Sequence, residues 1–82
     1  MIGCNNDVLI SSGFVSCKEQ RSGCSCNGNA LQYYKYTNPT NKLEVQLYPS
    51  GQFSINQNGR PLQFGQITET DDSQLIDRLG KV

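Results

Sequence analysis

The sequence predicts a small α+β fold, an antiparallel β-meander of about four to six strands with one short C-terminal helix packed on one face. Three observations carry that expectation. In KLEVQLYPSGQFSINQNGRPLQF, Leu43, Val45 and Leu47, then Phe53 and Ile55, then Leu62 and Phe64 alternate with polar residues, which is the period of half-buried strands. Two turn signals, YPSG and NG, separate these runs at hairpin spacing. The last stretch, TDDSQLIDRLGKV, changes to helical spacing.

The chain reads as one domain over 1–82, divided into a Cys/Gly/Ser-rich part at 1–30, the meander at 31–67 and a helix at 71–79. In the first part, DVLIS and GFVS are predicted as two short strands about Ser11 to Gly13. Lys18 to Asn29 is almost without apolar residues apart from its cysteines and is predicted as a surface loop. A first meander strand ends before a four-residue loop, Asn38 to Asn41, which sets Tyr36 against Leu43, Lys35 against Glu44 and Tyr34 against Val45.

The next turn, Tyr48-Pro49-Ser50-Gly51, has proline second and glycine fourth, as a type I turn closed by a glycine bulge requires. Leu47 then faces Phe53, and Val45 faces Ile55. Asn58-Gly59 supplies the two positive-φ positions of a two-residue hairpin, from which Ile55 is set against Leu62 and Phe53 against Phe64. Pro61 lacks an N–H, so residues 61 to 67 form an edge strand. A bulge at Gly65-Gln66 is needed to keep Ile67 on the face of Leu62 and Phe64. In the helix, Asp71 is the expected N-cap with Gln74 as its reciprocal partner and Gly80 as the stop. Leu75, Ile76 and Leu79 form its apolar stripe, leaving Gln74, Asp77 and Arg78 outward.

Composition narrows the function. Seven Lys plus Arg balance seven Asp plus Glu, so there is no basic field for nucleic acid. Polarity comes largely from Asn and Gln, which favour contacts by shape and hydrogen bonding. The longest apolar run is Val8 to Ile10, far below the roughly 20 residues of a membrane-spanning helix. The first residues contain no secretory h-region, which favours the cytoplasm. Ile2-Gly3-Cys4 followed by polar residues resembles the end of a bacterial lipoprotein signal, which implies an extracytoplasmic protein. Asn38-Pro39-Thr40 is no glycosylation acceptor, because proline occupies its middle position.

The four cysteines, Cys4, Cys17, Cys24 and Cys26, have three readings. As disulfides they staple a small loop-rich segment, with bridges running from the Cys24/Cys26 pair to Cys4 and Cys17, and they place the protein outside the reducing cytoplasm. As free thiols they are small hydrophobes. As a tetrathiolate they bind zinc, the one metal option left by four cysteines without histidine, although C-x12-C-x6-C-x-C departs from the usual paired spacing. Otherwise no metal or cofactor is expected. The absence of histidine removes Ser/His and Cys/His nucleophile systems, so no catalytic residue is predicted. Glu69, Asp71 and Asp72 are explained by the free N–H groups of a helix start.

On the polar face of the sheet the predicted register gathers Leu31, Tyr33 and Tyr48 beside Gln46 and Gln52. Tyrosines among amides make a contact patch, since tyrosine anchors interfaces at low entropic cost. The alternative is that the N-terminal strands cover them. The expected function is a non-catalytic module that binds another protein, as an adaptor or an inhibitor. A zinc-stabilised module and an extracytoplasmic disulfide-stapled or lipoprotein-type domain are its rivals, and an open strand edge offers homodimerisation.

Overall fold

The computed structural model describes residues 2–21 and 31–82. Five antiparallel strands form one sheet in sequential order: β1 (Ser16–Arg21), β2 (Leu31–Asn38), β3 (Leu43–Leu47), β4 (Gln52–Gln57) and β5 (Arg60–Gln66). Helix α1 (Asp7–Ser11) precedes the sheet and helix α2 (Ser73–Leu79) follows it. Leu9 of α1 and Leu75 of α2 join Tyr36, Val45, Leu47, Phe53, Ile55 and Ile67 in one buried cluster, so both helices lie over the same sheet face.

The N-terminal third differs from the expectation of two strands and a loop. DVLIS is a helix because its ends are capped. Asn6 Oδ1 accepts from the Leu9 N–H at 3.1 Å, and the chain leaves the helix through Gly13 at φ +96°, with Phe14 N–H donating to the Leu9 carbonyl at 3.1 Å. An Asn start and a glycine stop outweigh the β-branched Val8 and Ile10 over so short a stretch. GFVS is not a strand. The strand begins at Ser16 and takes in Lys18 to Arg21, which were expected in a loop; the remainder of that loop lies outside the described residues. Six residues with so little apolar content form a strand because β2 supplies the ladder on one side.

A hydrogen-bonded group ties the N-terminal segment down. Asn6 is fully buried; its N–H donates to Tyr36 Oη at 3.2 Å, and that hydroxyl donates to the Gly3 carbonyl. Asn6 Nδ2 donates to Asp72 Oδ1 at 3.5 Å, which joins the segment to the start of α2. Burial raises the Tyr36 hydroxyl above the ordinary tyrosine pKa, against the lowering effect of the Asn6 N–H.

Cys4 and Cys17 form a disulfide, with Cα atoms 5.6 Å apart. This corrects the expected pairing of each with Cys24 or Cys26, both of which lie outside the described residues. Cys17 faces Tyr36 across the ladder, on the helix-bearing side of the sheet, and the Tyr36 hydroxyl holds Gly3 there too. Cys4 is thereby delivered to Cys17. A sulfur in this bridge is neither a zinc thiolate nor a site for a thioether lipid.

The YPSG and NG turns form as expected. Gly51 has φ +100° and its N–H donates to the Tyr48 carbonyl at 2.9 Å, while Asn58 and Gly59 have φ +51° and +81°. Leu47 faces Phe53 and Val45 faces Ile55. Between β2 and β3 the register is two residues from the expected one: Tyr36 faces Val45, Tyr34 faces Leu47 and Asn38 faces Leu43. The loop is Pro39 to Lys42, because buried Asn38 accepts from the Thr40 N–H at 3.0 Å and Lys42 closes the turn at φ +59°. A shift of two keeps every side chain on its face. Lys35 and Glu44 therefore still form an ion pair, at 3.5 Å, but diagonally.

The last hairpin is corrected in a way that changes the surface. Asn56 faces Pro61 as expected, but a bulge falls at Ile55/Asn56 rather than at Gly65-Gln66, after which Ile55 faces Gln63, Ser54 faces Phe64 and Phe53 faces Gly65. Gln63 and Phe64 thereby exchange faces relative to the expectation, while Ile67 is in the core as expected. Phe64 is 62% exposed and Leu62 is exposed, whereas both were expected in the core. Gly65 sits under the Phe53 ring, where an added Cβ would approach the ring carbon Cζ to 2.4 Å. Phe64→Ser is accordingly expected to change stability by no more than about 0.5 kcal/mol. Phe53→Ala, by contrast, should cost about 3–5 kcal/mol. Urea unfolding of the two variants checks the assignment of faces.

Helix α2 is shorter than the predicted 71–79. Asp72 stands at its N-cap, Asp71 Oδ1 accepts from the Ser73 N–H at 2.9 Å, and Gln74 reaches away to accept from the Gln66 N–H at 3.4 Å instead of closing a capping box. That bond to Ser73 lowers the Asp71 pKa. Gly80 ends the helix with right-handed backbone. Ile76 is exposed, so the apolar stripe narrows to Leu75 and Leu79, while Arg78 is half-buried and its Nε has no hydrogen-bond partner among the described residues.

Candidate functional site

The helices occupy one face of the sheet, and among the described residues nothing packs on the other. Strand alternation assigns that open face Tyr33, Lys35 and Thr37 from β2, Glu44 and Gln46 from β3 with Tyr48 just beyond it, Gln52, Ser54 and Asn56 from β4, and Phe64 and Gln66 from β5. All of them are half-buried or exposed.

Tyr34 faces Leu47, so Tyr33 is carried next to Tyr48; their ring centroids are 5.4 Å apart at a tilt of 47°. Such tilted aromatic contacts contribute about 0.5–1.5 kcal/mol beyond area burial. The pair is held by a line of polar contacts. Tyr48 Oη donates to Gln46 Oε1 at 3.3 Å, Gln46 Nε2 donates to Glu44 Oε2 at 3.1 Å, and Glu44 Oε1 meets Lys35 Nζ at 3.5 Å. Each side chain in that line fixes the next.

The structure brings together four of the five residues predicted for the patch. Tyr33 and Tyr48 touch, Gln46 bonds to Tyr48, and Gln52 pairs with Tyr48 through its carbonyl, which accepts the Tyr48 N–H at 2.8 Å. Leu31 lies on the same face at the far end of β2, half-buried and opposite Arg21. Among the described residues the N-terminal part does not cover the tyrosines: α1 lies on the other face, and β1 extends the sheet beside Tyr33.

Phe64 was missed. It shares with Tyr48, Gln46, Gln52, Ser54 and Gln66 the lining of a shallow groove of about 740 Å³. The available signal was Gly65: a glycine inside a strand marks a place where another group comes close, here the Phe53 ring, and that closeness puts Phe64 on the opposite side. The groove lining carries no charge, and its chemistry is that of aromatic contact and amide hydrogen bonding.

Neither helix is long and apolar enough to cross a membrane. No cluster of three or more Cys, Asp or Glu residues is arranged to hold a metal ion among the described residues. With Cys4 and Cys17 bonded to each other, the tetrathiolate set is incomplete in this state. Comparison with protein-family models, with curated proteins and with solved structures gives no match, so any functional reading of this chain rests on its residues and their geometry.

Proposed function

We propose that the protein is a non-catalytic interaction module, an adaptor or an inhibitor, that binds another protein through the open sheet face. The supporting observation is the Tyr33–Tyr48 pair, fixed by Gln46 and flanked by Gln52 and the exposed Phe64. Rigid aromatics that lose little entropy on binding, set among groups able to donate and accept hydrogen bonds, are the usual anchors of protein interfaces. The Cys4–Cys17 bridge favours an oxidising compartment as the place of action.

The test is the double substitution Tyr33→Ser with Tyr48→Ser. Site-specific photo-crosslinking from Gln52 in the native host should capture a defined partner with the parent chain and lose it with the variant. Both side chains are only half-buried and outside the core cluster, so the unfolding midpoint should move little. Undiminished capture by the double variant would reject this face.

A further inference from the structure

The sheet has two edges, and they are finished differently. On β5, hydrogen-bonding parity turns Pro61, Phe64 and Gln66 outward, because the N–H of Tyr48 bonds toward β4 and the alternation follows from there. Pro61 has no N–H, the Gln66 N–H is taken by Gln74 Oε1 at 3.4 Å, and the bulge interrupts the strand between them. Of the N–H groups that this edge turns outward, only that of Phe64 is left to an incoming strand, between a proline and a capped amide.

On β1 the same parity turns Ser16, Lys18 and Gln20 toward β2 and leaves the backbone of Cys17 and Glu19 facing outward. Among the described residues nothing there removes a donor. What the strand carries instead is charge. Lys18 lies directly opposite Lys35, and Lys35 is offset by Glu44 at 3.5 Å whereas Lys18 has no carboxylate partner among the described residues. Glu19 is already paired with Arg21 at 2.8 Å. Val15, 77% exposed, lines a small groove with Ser16, Lys18, Lys35 and Thr37 at the start of this edge. Proline and a side-chain cap block every strand alike, while lysine charge filters strands by their own charge.

We infer that β1 is a strand-addition site, and that its occupant is an extended segment of another protein with a carboxylate side chain opposite Lys18 and an apolar residue toward Val15. This rests on the reading of the protein as an interaction module and names the chemistry of its partner. The added strand continues the open face beside Tyr33, since Gln20 faces Tyr33 across the ladder. A second copy of the chain fits poorly. Antiparallel pairing about a two-fold axis must match outward positions with outward positions, and the two registers of greatest overlap set either Lys18 against Lys18 of the second copy or Glu19 against its Glu19. The register centred on Gln20 engages only the end of the strand.

The test uses an acetylated, amidated octapeptide in which glutamate and threonine alternate with valine, beside its lysine-for-glutamate counterpart. Amide hydrogen exchange followed by NMR should show the Cys17 and Glu19 N–H groups slowed about tenfold or more by the acidic peptide, with Phe64 unchanged. The lysine peptide should protect neither. Lys18→Glu should reverse the preference, and Glu19→Pro, which removes an outward N–H that an edge strand can spare, should abolish protection. If Glu19→Pro does not fold by circular dichroism, the charge reversal decides alone. Equal protection by the two peptides, protection at Phe64 instead, or none at millimolar peptide overturns the inference, as does a concentration-dependent dimer dissolved by Lys18→Glu. If these edge results are negative while the tyrosine double variant still loses its crosslinked partner, the interaction reading survives without strand addition. If that variant also keeps its partner, both fall.

Discussion

Gly51→Ala is expected to lower stability by about 3 kcal/mol, the combined order of a strained backbone position and an overpacked contact. Gly51 has φ +100°, and a Cβ built there lies 2.2 Å from the backbone carbonyl oxygen of Ile67. That oxygen has no rotamer to change. It belongs to a residue whose own N–H donates back to the Gly51 carbonyl at 2.8 Å and whose side chain is in the core, so relief of the clash requires parting the YPSG turn from the strand end it holds. Gly59→Ala is the control. Gly59 also has positive φ, at +81°, but nothing lies within 4 Å of its added Cβ, so its cost should be only about 1 kcal/mol. Chemical denaturation of the two variants should separate them by a factor of two to three in free energy; equal costs would mean that conformational strain alone governs both turns.

The second large effect is expected from the Cys4–Cys17 bridge. The bonded residues are separated by 13 positions, and closing a loop of about that size restricts the unfolded chain by about 3 kcal/mol. For a domain this small the corresponding fall in Tm is on the order of 12–24 °C. The double substitution Cys4→Ser with Cys17→Ser should show this loss without reductant, and the parent chain should approach it when reduced. Mass measured after alkylation without reduction should find Cys4 and Cys17 unlabelled. Labelling of both, or a double variant as stable as the parent, would remove the bridge from the account. The segment it staples has other holds, the Tyr36 hydroxyl on Gly3 and Asn6 and the Asn6 contact with Asp72, so the sheet is expected to persist in the reduced protein.

These effects fall on features that were unequally legible. The two turns that organise the middle of the chain were readable because their geometry is dictated locally: Gly51 and Asn58-Gly59 occupy positive-φ positions that few other residues accept. The register from the first turn followed residue for residue. Helix α1 was also encoded locally, in the Asn6 start and the Gly13 stop, but its β-branched residues read as strand; the caps outweigh them, and Leu9 is buried against the sheet. Tyr33 and Tyr48 were placed on one face by parity alone, which survived a register error of two residues.

What sequence pattern by itself determined is the order of the meander, the hairpin turns, the helix at the C-terminus and the tyrosine-bearing open face, each set by preferences that act over a few residues. Only the tertiary structure decided where the last bulge falls, which cysteines meet and how the β5 edge is capped. The bulge depends on the Phe53 ring needing the space above Gly65, and that moved Phe64 from the expected core to the surface. The disulfide depends on the Tyr36 hydroxyl holding Gly3 beside β1, across more than thirty residues of chain. The capping of the β5 edge depends on Gln74 of one element accepting from Gln66 of another. In all three the deciding contact joins residues of different elements that meet only once the chain has folded; a glycine inside a strand, as at Gly65, signals a close approach without naming the group that makes it.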